Sequence, residues 1–143
     1  MTQATARKTL EAFLGRVERV TADPYYLGKV TKVVLFGSYL REDATVLSDV
    51  DVAVVIEPKE PDADKHQRLN YQRVHDLEEA GRRIDTIFEQ VLCGCQEVAR
   101  YLKGRSPTPS LHDYKNDHPL VDAGPHRILL PASRSAIEEV LRL

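Results

Sequence analysis

The chain is poor in the residues that form covalent cross-links and large aromatic surfaces. Its 143 residues include no tryptophan, one methionine and two cysteines, Cys93 and Cys95. A structural zinc site needs about four ligands, and no further cysteine or histidine lies close enough in sequence to complete one. We therefore expect both cysteines to be reduced thiols in a cytoplasmic protein.

Long apolar runs are also missing. The longest unbroken run is Val52–Ile56, far short of the roughly 20 residues that cross a bilayer. Residues 1–8 lack the apolar segment of a secretory signal. The sequence therefore predicts neither a membrane-spanning protein nor an exported one.

Neither sign of charge dominates. Lysine and arginine number 20 and the acidic residues 22, which gives a net charge of -2. This balance disfavours a strongly basic nucleic-acid-binding protein. Arg82, Arg83, Lys103 and Arg105 form either a local basic patch or an ordinary solvated face.

The spacing of apolar residues predicts a mixed architecture. Helical periodicity covers residues 3–21, 64–81, 94–102 and 133–143, and strand patterns cover 30–36, 49–56 and 83–89, with a short strand at 128–130. We expect an α/β (α+β) fold with a small mixed sheet and helices packed on one side.

The carboxyl-terminal part differs in composition from the rest. Residues 104–131 hold five of the eight prolines and three of the five histidines, so we expect mostly loop there. By length the chain is one domain. We predict a functional domain over residues 1–103 and an extension over 104–143, a proline-rich loop then a helix, packed on the same domain.

A glycine and a serine, Gly37 and Ser38, follow the first predicted strand. Glycine lets the backbone turn tightly and approach a ligand closely. A turn that leads into a helical amino end also presents N–H groups to phosphate oxygens, beside the Ser38 hydroxyl. The pair is therefore a candidate phosphate-binding turn.

Ten residues further on, two aspartates open the second predicted strand. Asp49 and Asp51 fall on one face of that strand, with Cα atoms roughly 6.5 Å apart. Neighbouring carboxylates repel one another unless a cation lies between them, and Mg²⁺ prefers oxygen ligands. A third acid, Asp85, lies in the predicted strand 83–89. If that strand lies beside the second, three carboxylates converge, enough for two metal ions about 3.5–4 Å apart and in-line phosphoryl displacement.

The order of these parts resembles the nucleotidyltransferase superfamily that includes DNA polymerase β. The shared pattern is Gly-Ser, ten residues, Asp-x-Asp and a later aspartate on a strand, and it covers about residues 30–90. The short chain and Arg41 are similar to the minimal nucleotidyltransferase (MNT) branch, whose members are often antitoxins paired with HEPN-domain toxins. The resemblance implies a polymerase β-like nucleotidyltransferase fold.

The resemblance also implies a role for each residue of the pattern. The Gly37-Ser38 pair would hold a nucleoside triphosphate, and Arg41 would contact it. Asp49 and Asp51 would bind two Mg²⁺ ions, and Asp85 would bind the catalytic ion and help to activate the attacking hydroxyl. In the antitoxin branch the substrate is ATP, and AMP is transferred to a tyrosine hydroxyl of the partner toxin.

The sequence departs from the family pattern in two places. Glu42 and Asp43 follow Arg41 where the family often has glycine, and they add negative charge beside the proposed triphosphate site. Residues 104–143 extend beyond the minimal module. Both departures weaken the inference of the acceptor from the family and say little against the predicted fold.

Other acceptors and another class of function remain open from sequence alone. The same chemistry suits a small molecule such as an aminoglycoside, or an RNA 3′ end, although a net charge of -2 argues against RNA. A non-catalytic antitoxin-like module would instead neutralise its partner by contact, with residues 104–143 wrapping it. The sequence also leaves open a homo-oligomer.

Three histidines in the proline-rich segment are a weaker candidate for metal binding. His112, His118 and His126 lie near acidic residues, but spacings of six and eight match no standard ligand pattern. We predict solvated loop histidines.

Overall fold

The computed structural model describes residues 2–41, 49–105, 108–131 and 134–141. The helices are α1 (Gln3–Ala22), α2 (Ala63–Glu79), α3 (Ile87–Lys103), α4 (Tyr114–Ala123) and α5 (Arg134–Leu141). The strands are β1 (Gly28–Phe36), β2 (Asp51–Pro58), β3 (Ser110–Asp113) and β4 (His126–Leu130). None of the helices in these ranges combines the length and apolar character that a bilayer crossing needs.

The strands form one mixed sheet in the order β3-β2-β1-β4. β1 runs antiparallel to both β2 and β4, whereas β3 runs parallel to β2. A parallel pair needs a long crossover connection, which α2 and α3 provide here. This mixed sheet with packed helices confirms the predicted fold class.

The main core lies between one face of the sheet and the helices α1, α3 and α5. β1 and β2 contribute alternating valines to it, as a strand with one buried face requires. A bulge between Val30 and Lys32 shifts the register, so that Val30 and Val33 both face this core although three positions separate them.

The opposite face of the sheet is covered by α4, so helices pack on both faces of the sheet and the expected packing on one side is wrong. Val121 of α4 packs on Val34, Phe36 and Ala53 in a second, smaller cluster. The prediction of mostly loop over 104–131 is therefore wrong, because this segment contains β3, α4 and β4. The predicted short strand at 128–130 is confirmed within β4.

The predicted strand 83–89 is also wrong. Residues 82–85 precede a helix, and α3 begins at Ile87, well before the predicted start at residue 94. Thr86 caps this helix, since its Oγ1 accepts a hydrogen bond from the Glu89 N–H at 3.0 Å. The cap and the acidic residue in the first turn favour a helix over the short alternation on which the strand was predicted.

Candidate active site

The candidate phosphate-binding turn lies directly after β1 and approaches Asp51 closely. Residues Gly37–Leu40 form a single 3₁₀ turn, closed by the Arg41 N–H donating to the Ser38 carbonyl at 3.1 Å. Gly37 has a φ of +82°, and a Cβ there would lie 2.6 Å from Asp51 Oδ2. Only glycine satisfies both conditions without strain.

The residues before β2 are hydrogen-bonded to the same turn. Ser38 Oγ donates to the backbone carbonyl of Asp49 at 3.3 Å, and Asp49 Oδ1 accepts from the Val50 N–H at 2.8 Å. Because β1 and β2 pair with Phe36 opposite Asp51, the turn and the two aspartates meet at one end of the sheet. The structure thus brings together four of the residues predicted from sequence.

The surroundings of Asp51 disfavour the ionised form of its side chain. Its side chain is only 26% exposed. Burial, and then the neighbouring Asp49 carboxylate, raise the pKa of Asp51, and the attraction of His112 partly offsets this rise. A cation bound between two neighbouring carboxylates offsets their repulsion.

His112 on β3 also belongs to this site, and the sequence did not predict it there. Its Nε2 lies 3.8 Å from Asp51 Oδ1 and 3.2 Å from Ser110 Oγ, while its Nδ1 lies 3.4 Å from Asp117 Oδ2. The parallel pairing of β2 with β3 aligns Ser110 with Asp51 and so places His112 on the Asp51 face.

The signal for β3 in the sequence is weak. The strand has only four residues, and prolines at positions 107 and 109 precede it. Such a run is too short for a reliable alternation pattern. The expectation that His112 is a solvated loop histidine is therefore wrong.

Asp85 is not brought to this site. It lies in the connection between α2 and α3, its side chain is 69% exposed, and its Oδ2 is 3.7 Å from Arg83 Nε. β3 occupies the position beside β2 that the predicted third strand would have taken. Among the described residues, no three histidine, cysteine, aspartate or glutamate side chains are grouped to hold a metal ion. The predicted convergence of three carboxylates is thus not found, and we leave Asp85 out of the site.

Arg41 lies at the exposed end of the turn. It lines an open pocket of about 400 Å³ together with Tyr39 and with residues Pro125–Arg127 before and within β4. Glu42 and Asp43, which depart from the family pattern, lie outside the described residues. Arg41 directly follows the turn in the chain, and its contact with a triphosphate stays a prediction.

The donor chemistry of the site fits a hard divalent cation. Asp49 and Asp51 offer carboxylate oxygens, and Mg²⁺ is usually held by one or two carboxylates together with substrate phosphates. Burial, and then the Asp49 carboxylate, raise the pKa of Asp51, and a bound cation opposes both effects by favouring the ionised form. The carboxylates of Asp49 and Asp51 therefore fit one divalent ion whose remaining ligands come from a triphosphate.

The remaining candidate groups lie elsewhere. Cys93 and Cys95 are free, as predicted, and burial raises the pKa of both thiols, which disfavours reactivity. His118 is exposed beside Tyr114, and His126 lies 3.9 Å from Asp122 at the start of β4. None of these groups forms part of the aspartate site.

Comparison with known families identifies the domain. A model of the nucleotidyltransferase domain family matches residues 17–105, which include the turn and both aspartates. The chain belongs to this family. A nucleotidyltransferase domain transfers a nucleotidyl group from a nucleoside triphosphate, so the protein is a transferase. The match ends before β3, and no curated protein and no solved structure matched the chain.

Proposed function

We propose that this nucleotidyltransferase transfers AMP from ATP to a hydroxyl of a partner protein, with Mg²⁺ held by Asp49 and Asp51. The observation that carries the proposal is the contact between the Gly37 turn and Asp51, since it joins a phosphate-binding turn to a carboxylate pair. Backbone N–H groups and a cation on opposite sides of a triphosphate are the arrangement that phosphoryl transfer needs.

Each residue has a separate task in this proposal. The N–H groups of the turn bind the phosphate oxygens, the Ser38 hydroxyl ties the turn to the Asp49 carbonyl, and Arg41 adds a positive charge at the open end. Asp49 and Asp51 hold the cation. When bound, Mg²⁺ supplies positive charge that offsets the negative charge developing on the phosphate oxygens.

The reaction exchanges one bond to phosphorus for another. The acceptor oxygen forms a bond to the α-phosphorus, and the bond from that phosphorus to the bridging oxygen of pyrophosphate breaks. The hydroxyl proton is released to water. The role of the protein is mainly to position the triphosphate and to stabilise its charge.

The acceptor is proposed from the resemblance to antitoxin nucleotidyltransferases and from charge. A tyrosine hydroxyl of a HEPN-type partner is the acceptor in that branch. The net charge of -2 gives no general attraction for RNA. A small molecule and an RNA 3′ end are the alternative outcomes of the test below.

The test uses α-³²P-labelled ATP, GTP, CTP and UTP with Mg²⁺ and a cell lysate. The intact protein should label a protein band with ATP, and Asp49→Asn with Asp51→Asn should reduce labelling at least about a hundredfold. Asp76→Asn, an exposed change on α2, is the matched control and should label like the parent.

The fate of the label decides between the acceptors. Label on RNA or on a small molecule would refute the protein acceptor and identify that molecule as the acceptor instead. Equal labelling by the Asp49→Asn, Asp51→Asn variant and the parent would refute the assignment of the site.

A further inference from the structure

An arginine-lined hollow lies along one side of α3, away from the aspartate site. It has a volume of about 500 Å³ and is bounded by α3 and by the loop that contains Arg82 and Arg83. Arg100 closes its far end, and Glu89 is its one acidic lining residue. Within the described part of the chain, Arg83 pairs with Asp85, whereas Arg82 and Arg100 have no acidic partner. The hollow therefore carries uncompensated positive charge.

An apolar cleft lies on the other side of the same helix. Its volume is about 410 Å³, and Leu92, Cys95 and Ala99 line it from α3, with Ile56 and Leu111 opposite them on the sheet. These α3 positions follow helical spacing, so they form one continuous stripe. The cleft is thus a ready site for bulky apolar side chains.

The hollow and the cleft are one surface. Gln96 and Ala99 line both of them, so they meet across the outer face of α3. His112 also lines the cleft, and its Nε2 lies 3.8 Å from Asp51 Oδ1. We call this combined surface, from Arg82 through the hollow and cleft to His112, the α3 face.

Large apolar side chains project from the first turns of α3. Ile87 is 79% exposed and Phe88 is 70% exposed. Phe88 lies four positions before Leu92, at the start of the stripe that lines the cleft. Exposed side chains of this size, continuous with an apolar cleft, are typical of interaction sites.

We propose that the α3 face binds an amphipathic segment of a partner protein, with acidic side chains on one side and bulky apolar side chains on the other. Acidic groups complement Arg82 and Arg100, and apolar groups fill the cleft and cover Phe88. The proposal rests on the proposed function in one respect: His112 lines the cleft and also faces Asp51, so the α3 face and the transfer site share one residue.

Protein is favoured over RNA by the lining of the cleft. Phosphate backbones would pair with the arginines but would leave the aliphatic stripe and Phe88 in water. An amphipathic helix presents charged side chains on one face and apolar side chains on another, so it can contact the arginines and the cleft at the same time. RNA and a second copy of this chain are therefore treated as competing outcomes.

The test uses a defined probe, a fluorescent helix-forming peptide of about 18 residues with glutamates along one face and leucines along the other. Its controls are a scrambled peptide, a peptide with lysine in place of glutamate, and oligouridylate. Arg82→Glu with Arg100→Glu and, separately, Phe88→Ser change exposed or half-buried positions of the α3 face. Lys8→Glu, an exposed change on α1, is the matched control.

The proposal predicts saturable binding of the amphipathic peptide, at least tenfold tighter than that of the control peptides or oligouridylate. Both α3-face variants should weaken it at least tenfold, and Lys8→Glu should not. Equal binding of all peptides, preference for oligouridylate, or a dimer of the parent chain that Phe88→Ser dissociates would overturn it. Thermal unfolding of each variant shows that the fold is kept.

The same assay separates this inference from the proposed function. Asp49→Asn with Asp51→Asn should bind the peptide like the parent, because neither aspartate lines the α3 face. If the parent binds the peptide but transfers no nucleotide, the binding surface is supported and the proposed function is refuted. If the parent transfers nucleotide but does not bind the peptide, the proposed function is supported and the binding surface is refuted.

Discussion

At Gly37 the backbone turns with a φ of +82° and passes within reach of the Asp51 carboxylate. Gly37→Ala adds both left-handed backbone strain and a Cβ at 2.6 Å from Asp51 Oδ2. We expect a loss of about 1–3 kcal/mol in the free energy of unfolding, together with a large loss of transfer. Urea unfolding and the labelling assay measure the two effects.

The matched control is Gly124→Ala. Gly124 has an ordinary φ of -118° and open space around its missing side chain, so the change should alter stability by less than about 0.5 kcal/mol. Equal effects at the two glycines would contradict the role assigned to Gly37.

The pKa of Asp51 gives a prediction about pH. Burial and Asp49 raise this pKa above its ordinary value of 3.8, so the folded chain binds the proton more tightly than the unfolded chain. Asp51 therefore costs stability increasingly as pH rises from that value through the raised pKa. Without divalent cations, Asp51→Asn should be more stable than the parent at neutral pH.

This difference should shrink as pH falls through the raised pKa and should vanish well below the ordinary value of 3.8, where Asp51 is protonated in both states. Added Mg²⁺ should raise the melting temperature of the parent and leave that of Asp51→Asn unchanged. Thermal unfolding over a pH series measures both effects. A parent more stable than the variant at neutral pH, without cations, would disprove the argument.

The residues of the turn and the aspartate pair were predictable because their signal is local. Gly37, Ser38, Asp49 and Asp51 owe their positions to a turn and to the start of a strand, and their functional roles stay predictions. His112 reaches the site only through the pairing of β3 with β2, and no local pattern encodes that pairing. Asp85 was misplaced for the same reason, since its role depended on a neighbouring strand that is absent there.

At the level of the elements, Asn70 joins α2 to α3. This side chain is 2% exposed, its Nδ2 donates to the carbonyls of Gln90 and Val91, and its Oδ1 accepts from the Gly94 N–H at 2.8 Å. A Cβ at Gly94 would lie 3.2 Å from that oxygen, so the helices approach closely there. Asn70 therefore fixes the position of α3 relative to α2.

Asn70→Ala removes all three of these hydrogen bonds between the buried amide and α3. We expect it to lower the free energy of unfolding by about 1–3 kcal/mol. Asn116 lies on α4, and Asn116→Ala removes one exposed hydrogen bond to Asp113. This change should lower the free energy of unfolding by less than about 0.5 kcal/mol. Urea unfolding of both variants measures the difference. Similar losses would show that Asn70 has no special role.

Helices with a clear apolar stripe were predictable, and short elements were not. α1 matches the expected helix closely because its apolar residues recur at helical spacing. α3 begins earlier than predicted because the alternation of Ile84, Thr86 and Phe88 is typical of a strand, whereas Thr86 caps a helix. α4 escaped prediction because it contains Pro119 and lies among other prolines.

At the scale of the whole molecule, the sheet joins parts of the chain that are far apart in sequence. β1 and β2 lie within the segment that matches the family, whereas β3 and β4 lie beyond it. β3 nevertheless supplies His112, and β4 adds the fourth strand beside β1. Residues 104–143 thus complete the sheet that carries the site.

We propose that the nucleotide and its cation bind at Asp49 and Asp51, with no contribution from Asp85. Calorimetric titration of the protein with ATP in the presence of Mg²⁺ tests it directly and needs no acceptor. The parent and Asp85→Asn should bind ATP equally, and Asp49→Asn with Asp51→Asn should weaken binding at least tenfold, about 1.4 kcal/mol. Loss of binding in Asp85→Asn with unchanged binding in the double variant would contradict the account.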